Sequence, residues 1–281
     1  MPSITRAVYS LPELPRQRSR PLRLLCLGLP RSGTESLRNV LQALGYDGVA
    51  HGIDWWLNHP NTSMLYCELM QLKLQDRVPE PEVLRTRYFD RILADEEATT
   101  DIPAAWFAEE LLQAYPDAMV VLNRRRDVQD WKNSFRASVL PMMQSWKYWL
   151  ASWFNAELFW GVWLTDMGHR KFLFQGDFEK NGEAAYLGHY SNLEKILQAE
   201  KRPYLDWSVD DGWYGPPPSL APLCSFLSLP EPDAPFPKGN IAAEFGPKLM
   251  TVDAARFNKA IKNCLILLSC LITPVAVWWN M

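Results

Sequence analysis

The sequence predicts an α/β fold in which helices flank a central parallel sheet. Two apolar runs of strand length, residues 24–27 and 118–122, are each followed by helix-like stretches. Directly after the first run, four apolar residues recur at helical spacing: Leu37, Val40, Leu41 and Leu44. Apolar strands that alternate with amphipathic helices favour a parallel sheet, because each helix supplies the crossover between two strands. The sequence beyond the second run is patterned mainly as helices, so we expect a mainly helical second half.

A glycine-bounded loop, residues 28–37, lies between the first strand and the first helix. Glycine at positions 28 and 33 permits a tight turn, so that backbone N–H groups and the positive end of the helix converge on an anion. Arg31 adds a positive charge, and three side chains add hydroxyl groups: Ser32, Thr34 and Ser36. The Gly28–Gly33 spacing matches the nucleotide P-loop, but Thr34 stands where that motif has its phosphate-binding lysine. We therefore expect a phosphate site outside the usual ATP and GTP hydrolases.

Two segments resemble the phosphate-binding elements of sulfotransferases. Residues 30–34, Pro-Arg-Ser-Gly-Thr, resemble the family's 5′-phosphosulfate loop, and Glu35 departs from the family pattern at the next position. Residues 123–134 follow the second strand run and resemble the 3′-phosphate element, with Arg126 and Ser134 at the matching positions. The order and spacing of the two elements indicate a sulfotransferase more strongly than either element alone.

Further motifs resemble the fungal-type branch of P-loop sulfotransferase-like proteins. His51 falls where that branch has a histidine after its second strand, and residues 101–103 resemble its Asp-x-Pro segment. Three later segments resemble its C-terminal signature: residues 205–213, 223–227 and 235–240. The resemblance spans about residues 22–245 and implies a three-layer P-loop sulfotransferase-like fold.

This resemblance implies transfer of a sulfuryl group from 3′-phosphoadenosine 5′-phosphosulfate to a hydroxyl group of a small, apolar metabolite. It implies that Arg31 binds the 5′-phosphate and stabilises charge on the bridging oxygen as the S–O bond breaks. Four neighbours would complete the cradle: Ser32, Gly33, Thr34 and Ser36. Arg126 and Ser134 would hold the 3′-phosphate. We expect no metal, because the transferred group carries less charge than a γ-phosphoryl group.

The acceptor hydroxyl needs a base close to the sulfur atom. His51 is the first candidate, because an imidazole with a pKa of about 6.5 can accept a proton at neutral pH. Asp101 is the second candidate, either as the base or as the group that orients His51. Glu35 favours the start of a helix if it faces outward, but would repel a bound phosphosulfate if it faced inward. The other three histidines are expected to be surface or packing residues: His59, His169 and His189.

Two other functions are open on the sequence alone. A sulfotransferase-fold enzyme of secondary metabolism could catalyse elimination or cyclisation without net sulfation, and Glu35 favours this alternative. A non-catalytic nucleotide-binding protein is the second alternative, and normal function after loss of His51 and Asp101 would indicate it.

Composition limits the setting in which the protein works. The 281 residues carry a formal net charge of −3, which gives no reason to expect nucleic-acid binding. The five cysteines lack metal-ligand spacing and are odd in number, which favours a reducing compartment without a structural metal. The first twenty residues have no continuous apolar core of the kind found in secretory signals. We therefore expect a cytoplasmic protein, and its oligomeric state is open.

We divide the chain into an N-terminal tail at 1–21, a sulfotransferase-like domain at 22–249 and a C-terminal apolar helix at 250–281. Four arginines around the first boundary are expected to lie on a solvated tail: Arg16, Arg18, Arg20 and Arg23. Residues 264–279 contain no charged residue, and three basic residues precede them: Arg256, Lys259 and Lys262. Sixteen helical residues rise only about 24 Å, whereas a hydrocarbon core is about 30 Å thick. A tail on the cytoplasmic face of a membrane and a helix buried on the domain both remain open.

A tryptophan-rich stretch covers residues 146–163, with aromatic residues three and four positions apart. Core packing is the default interpretation of such a face. The alternative hypothesis is that this helix forms one wall of an apolar acceptor pocket, since small-molecule sites are lined mainly by apolar side chains.

Overall fold

The computed structural model describes residues 3–12, 18–213, 220–231 and 241–279. Its five strands form one sheet in the order β2-β3-β1-β4-β5, and every neighbouring pair is parallel. The strands are β1 Leu24–Cys26, β2 Val49–Ala50, β3 Ala98–Thr99, β4 Met119–Arg124 and β5 Tyr204–Ser208. The predicted α/β class with a parallel central sheet flanked by helices is confirmed, although the sequence pattern did not identify β5 as a strand.

Helices occupy most of the remaining described chain, including its second half. The α-helices are α1 Ser3–Val8, α2 Thr34–Ala43, α3 Gly52–Leu57, α4 Ser63–Leu74, α5 Pro81–Val83, α6 Asp90–Leu93, α7 Ala108–Ala114, α8 Val128–Met143, α9 Trp146–Ser152, α10 Ala156–Thr165, α11 Phe178–Ala199, α12 Val209–Trp213, α13 Ala221–Leu227 and α14 Ile241–Trp279. Short 3₁₀ helices span Pro60–Thr62 and Ala104–Phe107, and π-helices span Leu84–Phe89 and Asp166–Leu173.

The sheet separates two hydrophobic clusters, which gives the fold three layers. Along β1, Leu25 belongs to the larger cluster, whereas Leu24 and Cys26 belong to the smaller one. Successive strand residues point to opposite faces, so each strand contributes to both layers. Residues of α4, α7, α8, α10 and α11 cover one face, and residues of α2 and α13 cover the other. Because all strands run in the same direction, the loops that follow them meet at one edge of the sheet.

The segment before β1 is bound to the domain, which corrects the expectation of a solvated tail. Arg18 Nε lies 3.0 Å from Asp90 Oδ1 and Arg20 pairs with Asp47. Tyr9 stacks on Phe159 with 3.7 Å between ring centroids. The expectation overlooked that carboxylates distant in sequence could pair with these arginines. Arg16 lies outside the described residues.

Helix α14 begins before the predicted boundary at 249/250, so that boundary falls inside a helix. Three of its side chains are buried against the domain: Asp253, Arg256 and Ala260. Asn263 Nδ2 donates to the carbonyl of Phe154 at 2.8 Å, and the side chains from Leu265 to Leu268 are exposed. No helix among the described residues combines the length and apolar character needed to cross a membrane. The signature segment at 235–240 lies outside the described residues.

Candidate active site

The loop between β1 and α2 turns as its two glycines require. A Cβ atom on Gly28 would lie 2.1 Å from the carbonyl oxygen of Asn123, so the close approach of β4 excludes any side chain there. Gly33 has φ +74°, in the left-handed region that favours glycine. Gly33 is also the N-cap of α2, and no side chain caps this helix end. The first-turn N–H groups of α2 consequently have no intrahelical acceptor and face the loop.

Three residues outside the predicted motif hold this loop from behind. Asn123 Oδ1 accepts from the Gly28 N–H at 2.9 Å, and Trp131 Nε1 donates to the carbonyl of Pro30 at 2.8 Å. The hydroxyl of Tyr190 accepts from the Leu29 N–H at 3.3 Å. Asn123 directly follows the second apolar run, which is a signal that the sequence offered. No local signal marks Tyr190, because it lies on α11, 161 residues from Leu29.

The hydroxyl groups of the loop do not all face the same way. Ser32 is fully buried, and its Oγ lies 3.1 Å from the Tyr190 hydroxyl. Thr34 Oγ1 lies 3.2 Å from His51 Nε2, whereas Ser36 is half-buried at the start of α2. Ser32 and Thr34 therefore form contacts within the protein, which leaves Arg31 and the backbone N–H groups as the donors best placed for an anion.

The two predicted phosphate elements meet through Arg31 and Ser134. Arg31 Nε donates to Ser134 Oγ at 2.9 Å, and the two residues are 103 positions apart. Arg31 has φ +71°, which is uncommon for a residue with a side chain. Its side chain forms no ion pair with a described carboxylate. A strained residue with an unpaired cation at a loop is a common feature of ligand sites.

Arg126 lies beside acidic residues of β5 and of α12, the helix that follows it. Its Nε donates to both carboxylate oxygens of Asp211 at 3.1 Å, and its Nη1 donates to Asp206 Oδ1 at 3.0 Å. These hydrogen bonds hold the pKa of Asp211 below its usual range. The guanidinium is 42% exposed. Arg126 is therefore accessible but already neutralised, a pairing that the sequence analysis missed.

His51, Asp101 and Glu35 converge at the edge of the sheet. They follow β2, β3 and β1, the three strands that neighbour one another on this side of the sheet. His51 Nε2 lies 3.2 Å from Glu35 Oε2 and 3.4 Å from Asp101 Oδ2. Asp101 has φ +66°, and its Oδ1 is buried without a hydrogen bond to any described residue. Glu35 thus faces inward, the alternative in which it would repel a phosphosulfate while ionised.

The hydrogen bonds of His51 indicate which nitrogen carries the proton. His51 is the N-cap of α3, and its Nδ1 accepts from the Ile53 N–H at 3.2 Å. A neutral ring whose Nδ1 accepts must carry its proton on Nε2, the nitrogen that faces the two carboxyl groups. His51 Nε2–H therefore donates to Thr34 Oγ1 at 3.2 Å, and both carboxyl groups lie within 3.4 Å of the same nitrogen.

Burial shifts the pKa of all three groups in favour of their neutral forms. Burial, with the nearby charges of Arg38 and Arg31, lowers the pKa of His51 to about 3. Burial raises the pKa of Asp101 to about 7, and the negative charge of Glu35 adds to the rise. Burial also raises the pKa of Glu35, against the opposing effect of Arg38. A neutral imidazole beside a carboxyl group with a pKa of about 7, that of Asp101, can take part in proton exchange with a ligand.

A cavity of about 840 Å³ adjoins this cluster. Arg31 and the three clustered residues line one part of it, and aromatic and aliphatic side chains line much of the rest. Trp149, Trp153 and Trp163 line it and are 58%, 48% and 36% exposed. Core packing was therefore the wrong interpretation for these three tryptophans, whereas Trp160 is fully buried as that interpretation predicted.

His169 is a further cavity residue that the sequence analysis set aside as surface or packing. It is fully buried, and burial lowers its pKa to about 3. Neither ring nitrogen has a hydrogen-bond partner among the described residues. Its ring contacts Trp106 edge to face, with 4.8 Å between centroids. Aromatic rings enclose the imidazole, so the expectation of a packing residue is confirmed for His169.

Comparisons with known proteins agree with the motif analysis. A family model described as "Sulfotransferase domain" matches residues 23–245, close to the predicted span of 22–245. The chain is also 29% identical over 226 residues to "Ava biosynthesis cluster protein M" of Aspergillus versicolor, covering 77% of this chain and 80% of that protein. The family match includes all five strands and every predicted site residue. The chain therefore belongs to the sulfotransferase domain family, as its motifs predicted.

Proposed function

We propose that the protein transfers a sulfuryl group from 3′-phosphoadenosine 5′-phosphosulfate to a hydroxyl group of a small, apolar metabolite. The contact between Arg31 and Ser134 is the main support, because it joins the two phosphate elements beside a cavity with a titratable cluster. Membership of the sulfotransferase family supports the reaction class. The printed name of the Aspergillus relative supports a role in a biosynthetic gene cluster.

The donor would lie across the edge of the sheet. Arg31 and the first-turn N–H groups of α2 would bind the 5′-phosphosulfate, while Arg126 and Ser134 would bind the 3′-phosphate. Arg126 would have to exchange its carboxylate partners for that phosphate. An exposed ion pair is worth about 0.2–1 kcal/mol. A hydrogen bond to a charged group is worth about 1.5–3 kcal/mol, so the exchange favours the phosphate.

The chemical step transfers one group and one proton. The acceptor oxygen forms a bond to sulfur while the bond between sulfur and the bridging oxygen of the 5′-phosphate breaks. The acceptor's proton passes to a carboxylate of the cluster, and Arg31 stabilises the negative charge on the departing oxygen. The products are the sulfate ester and 3′-phosphoadenosine 5′-phosphate.

We assign Asp101 as the base and His51 as a positioning residue. His51 cannot accept a proton on Nε2, which already carries one, and its Nδ1 is engaged by the Ile53 N–H. Asp101 Oδ1 is buried without a partner, so a hydroxyl group of the acceptor can donate to it. With a pKa raised to about 7 by burial, Asp101 is also a stronger base than an ordinary carboxylate.

The cavity supports an apolar acceptor. Its volume lies within the range of about 300–1,000 Å³ usual for small-molecule sites. Tryptophan side chains provide large apolar contact surfaces at low cost in side-chain entropy.

The five cysteines support the cytoplasmic location included in this proposal. All of them are free thiols, as expected of a protein in a reducing compartment.

The inward position of Glu35 favours a second candidate, donor-independent elimination or cyclisation in the same cavity. An ionised Glu35 would oppose donor binding, whereas two carboxyl groups around one imidazole can act as acid and base on a bound substrate. This candidate needs neither Arg126 nor Ser134. The two functions therefore differ in their dependence on the 3′-phosphate element.

Calorimetric titration with 3′-phosphoadenosine 5′-phosphate, followed by assay with ³⁵S-labelled donor and a metabolite extract, tests the proposal. We expect Asp101→Asn to bind the nucleotide normally and to lose about 10²–10⁴-fold in transfer rate. Asp95→Asn, at an exposed carboxylate, serves as the matched control. Absence of nucleotide binding by the parent protein would overturn the proposal. A product that forms without donor and requires Asp101 would establish the second candidate instead.

A further inference from the structure

A contiguous apolar surface extends from α9 to the exposed part of α14. On the α9 side it consists of Trp146, Trp149, Leu150 and Trp153, which are 68%, 58%, 46% and 48% exposed. On α14 it consists of Ile261, Leu265, Ile266, Leu267 and Leu268, which are 48–61% exposed. We call these nine residues the α9–α14 face. Large exposed apolar patches mark interaction sites, whereas single exposed apolar residues are common.

Contacts between the two helices make this a single surface. The Asn263 side chain donates to the carbonyl of Phe154, immediately after the last α9 residue of the face. Six residues earlier on each segment, the rings of Phe257 and Tyr148 lie 5.1 Å apart. The hydroxyl of Tyr148 also donates to Asp253. The exposed tryptophans and the exposed aliphatic residues are therefore held next to each other.

The geometry of α14 favours a lipid bilayer over a protein groove as the partner of this face. Residues 265–268 are consecutive, and successive residues of a helix point about 100° apart. All four are nevertheless about half exposed, so apolar side chains surround the helix here. A helix that is apolar on every side needs an environment that surrounds it, and lipid acyl chains can do so, whereas a protein groove covers one side.

The charges around the face favour anionic lipids. Lys147, Lys259 and Lys262 are exposed on the same two segments. No aspartate or glutamate occurs within residues 143–154 or 254–270. Basic residues beside exposed tryptophan and leucine side chains are typical of helices that lie in the membrane interface, where tryptophan is also enriched.

We propose that the α9–α14 face docks on an anionic membrane surface and that the neighbouring cavity receives its apolar acceptor from the bilayer. Trp149 and Trp153 belong to both the face and the cavity wall, so docking places the cavity entrance at the lipid surface. Delivery of the acceptor rests on the proposed function, whereas docking does not.

Sedimentation of the full-length protein with vesicles tests docking without any donor or acceptor. Vesicles of phosphatidylcholine alone are compared with vesicles containing one third phosphatidylserine. We expect at least tenfold stronger partitioning to the anionic vesicles, and a decrease at high salt because the Lys contribution is screened.

Two double variants test the location of the docking surface. We expect Trp146→Gln with Leu150→Gln, and separately Leu265→Gln with Leu268→Gln, to lower the vesicle partition coefficient at least tenfold. None of these four residues lines the cavity. Leu187→Gln is the matched control, because Leu187 is 54% exposed on α11, outside the face. Circular dichroism and melting temperature establish that the variants are folded.

Four results would overturn the inference. The first three concern vesicles: the parent protein does not bind them, it binds both types equally, or both double variants bind as well as the parent. The fourth is that the parent protein forms a dimer in light scattering and binds no vesicles, and that the double variants are monomers. The last result would assign the face to a second copy of the chain. Normal vesicle binding by a protein that fails to bind the nucleotide would leave docking intact and reject only the proposed function.

Discussion

Arg31 and Arg126 are both predicted to bind phosphate, yet their surroundings differ. Arg31 contacts a neutral hydroxyl group, that of Ser134, and pairs with no described carboxylate. Arg126 pairs with Asp206 on β5 and with Asp211 on α12. One cation is therefore available to an anion at once, and the other must first exchange partners. A motif therefore identifies a basic residue, but it does not show whether that residue is free to bind an anionic ligand or is already paired with a carboxylate.

Arg124 and Arg125, which precede Arg126, are also paired with carboxylates, and their ion pairs join elements of the fold. Arg124 pairs with Glu194 and Asp206, and Arg125 Nε donates to Asp210 Oδ2 at 2.9 Å. These side chains are less exposed than that of Arg126. They join β4 to α11 and to the start of α12, so the three consecutive arginines are not an open basic patch.

Removal of the unpaired cation is expected to have the largest effect. Arg31→Ala should lower kcat/KM about 10³-fold, because it removes both a phosphate contact and stabilisation of the leaving oxygen. Arg31→Lys, which keeps the charge without the paired N–H donors, should lose less. Steady-state kinetics with the labelled donor measures both. Equal kinetics in the parent protein and Arg31→Ala would remove the distinction between the two arginines.

Loss of Arg126, the paired cation, should have a smaller effect than loss of Arg31. Arg126→Ala should weaken binding of 3′-phosphoadenosine 5′-phosphate about 5- to 30-fold, since a charged hydrogen bond of about 1.5–3 kcal/mol is offset by the broken ion pair. Calorimetry measures the change. Adenosine 5′-phosphosulfate, which lacks the 3′-phosphate, is the control ligand and should bind both proteins equally. An equal loss for the two ligands would contradict the assignment of Arg126 to the 3′-phosphate.

A smaller effect should follow when Glu35, whose negative charge contributes to the raised pKa of Asp101, is neutralised. The base must be ionised, so transfer by the parent protein should rise as pH increases through about 7, the pKa of Asp101. Glu35→Gln removes a negative charge that raises this pKa, so the acidic limb should move to lower pH. Nucleotide affinity at pH 8 should increase as well. A pH–rate profile whose acidic limb stays in place or moves upward would reject the coupling between Glu35 and Asp101.

The smallest effect should come from release of Arg126 from its partner. Asp211→Asn should tighten binding of 3′-phosphoadenosine 5′-phosphate about two- to fivefold, the equivalent of an exposed ion pair. Asp210→Asn is the matched control. Asp210 accepts from the Arg125 side chain and from the Arg126 N–H, so its loss should lower the melting temperature without improving affinity. Weaker nucleotide binding by Asp211→Asn would show that the pair positions Arg126.

The sequence correctly predicted the features that depend on residues close together in the chain. Glycines at 28 and 33, an apolar run before them and a helical pattern after them were enough to predict the turn between β1 and α2. His51 and Asp101 were identified as neighbours through motifs at strand ends. A parallel sheet brings such ends together, and the structure places Asp101 within 3.4 Å of His51.

Other features of the site could not be predicted, because they depend on segments that meet only in the folded chain. Tyr190 supports the loop from α11, and no local pattern marks it. Trp131 lies within the predicted 3′-phosphate element, but its contact with the carbonyl of Pro30 depends on the packing of α8. The π-helix with His169 and the helix with Trp149 contribute to one cavity wall across a gap in sequence. Periodicity alone could not separate a core face from a cavity wall, since both are apolar.

By itself, the sequence determined the α/β class, the glycine-bounded turn between β1 and α2 and the family, because backbone conformation at glycines and the periodicity of apolar residues are local properties. Only the tertiary structure decided which charges are paired and which way Glu35 points. Asp211 lies 85 positions from Arg126, and Asp101 lies 50 positions from His51. Electrostatic energies depend on distance in space and on burial, and both are fixed only when such segments pack together.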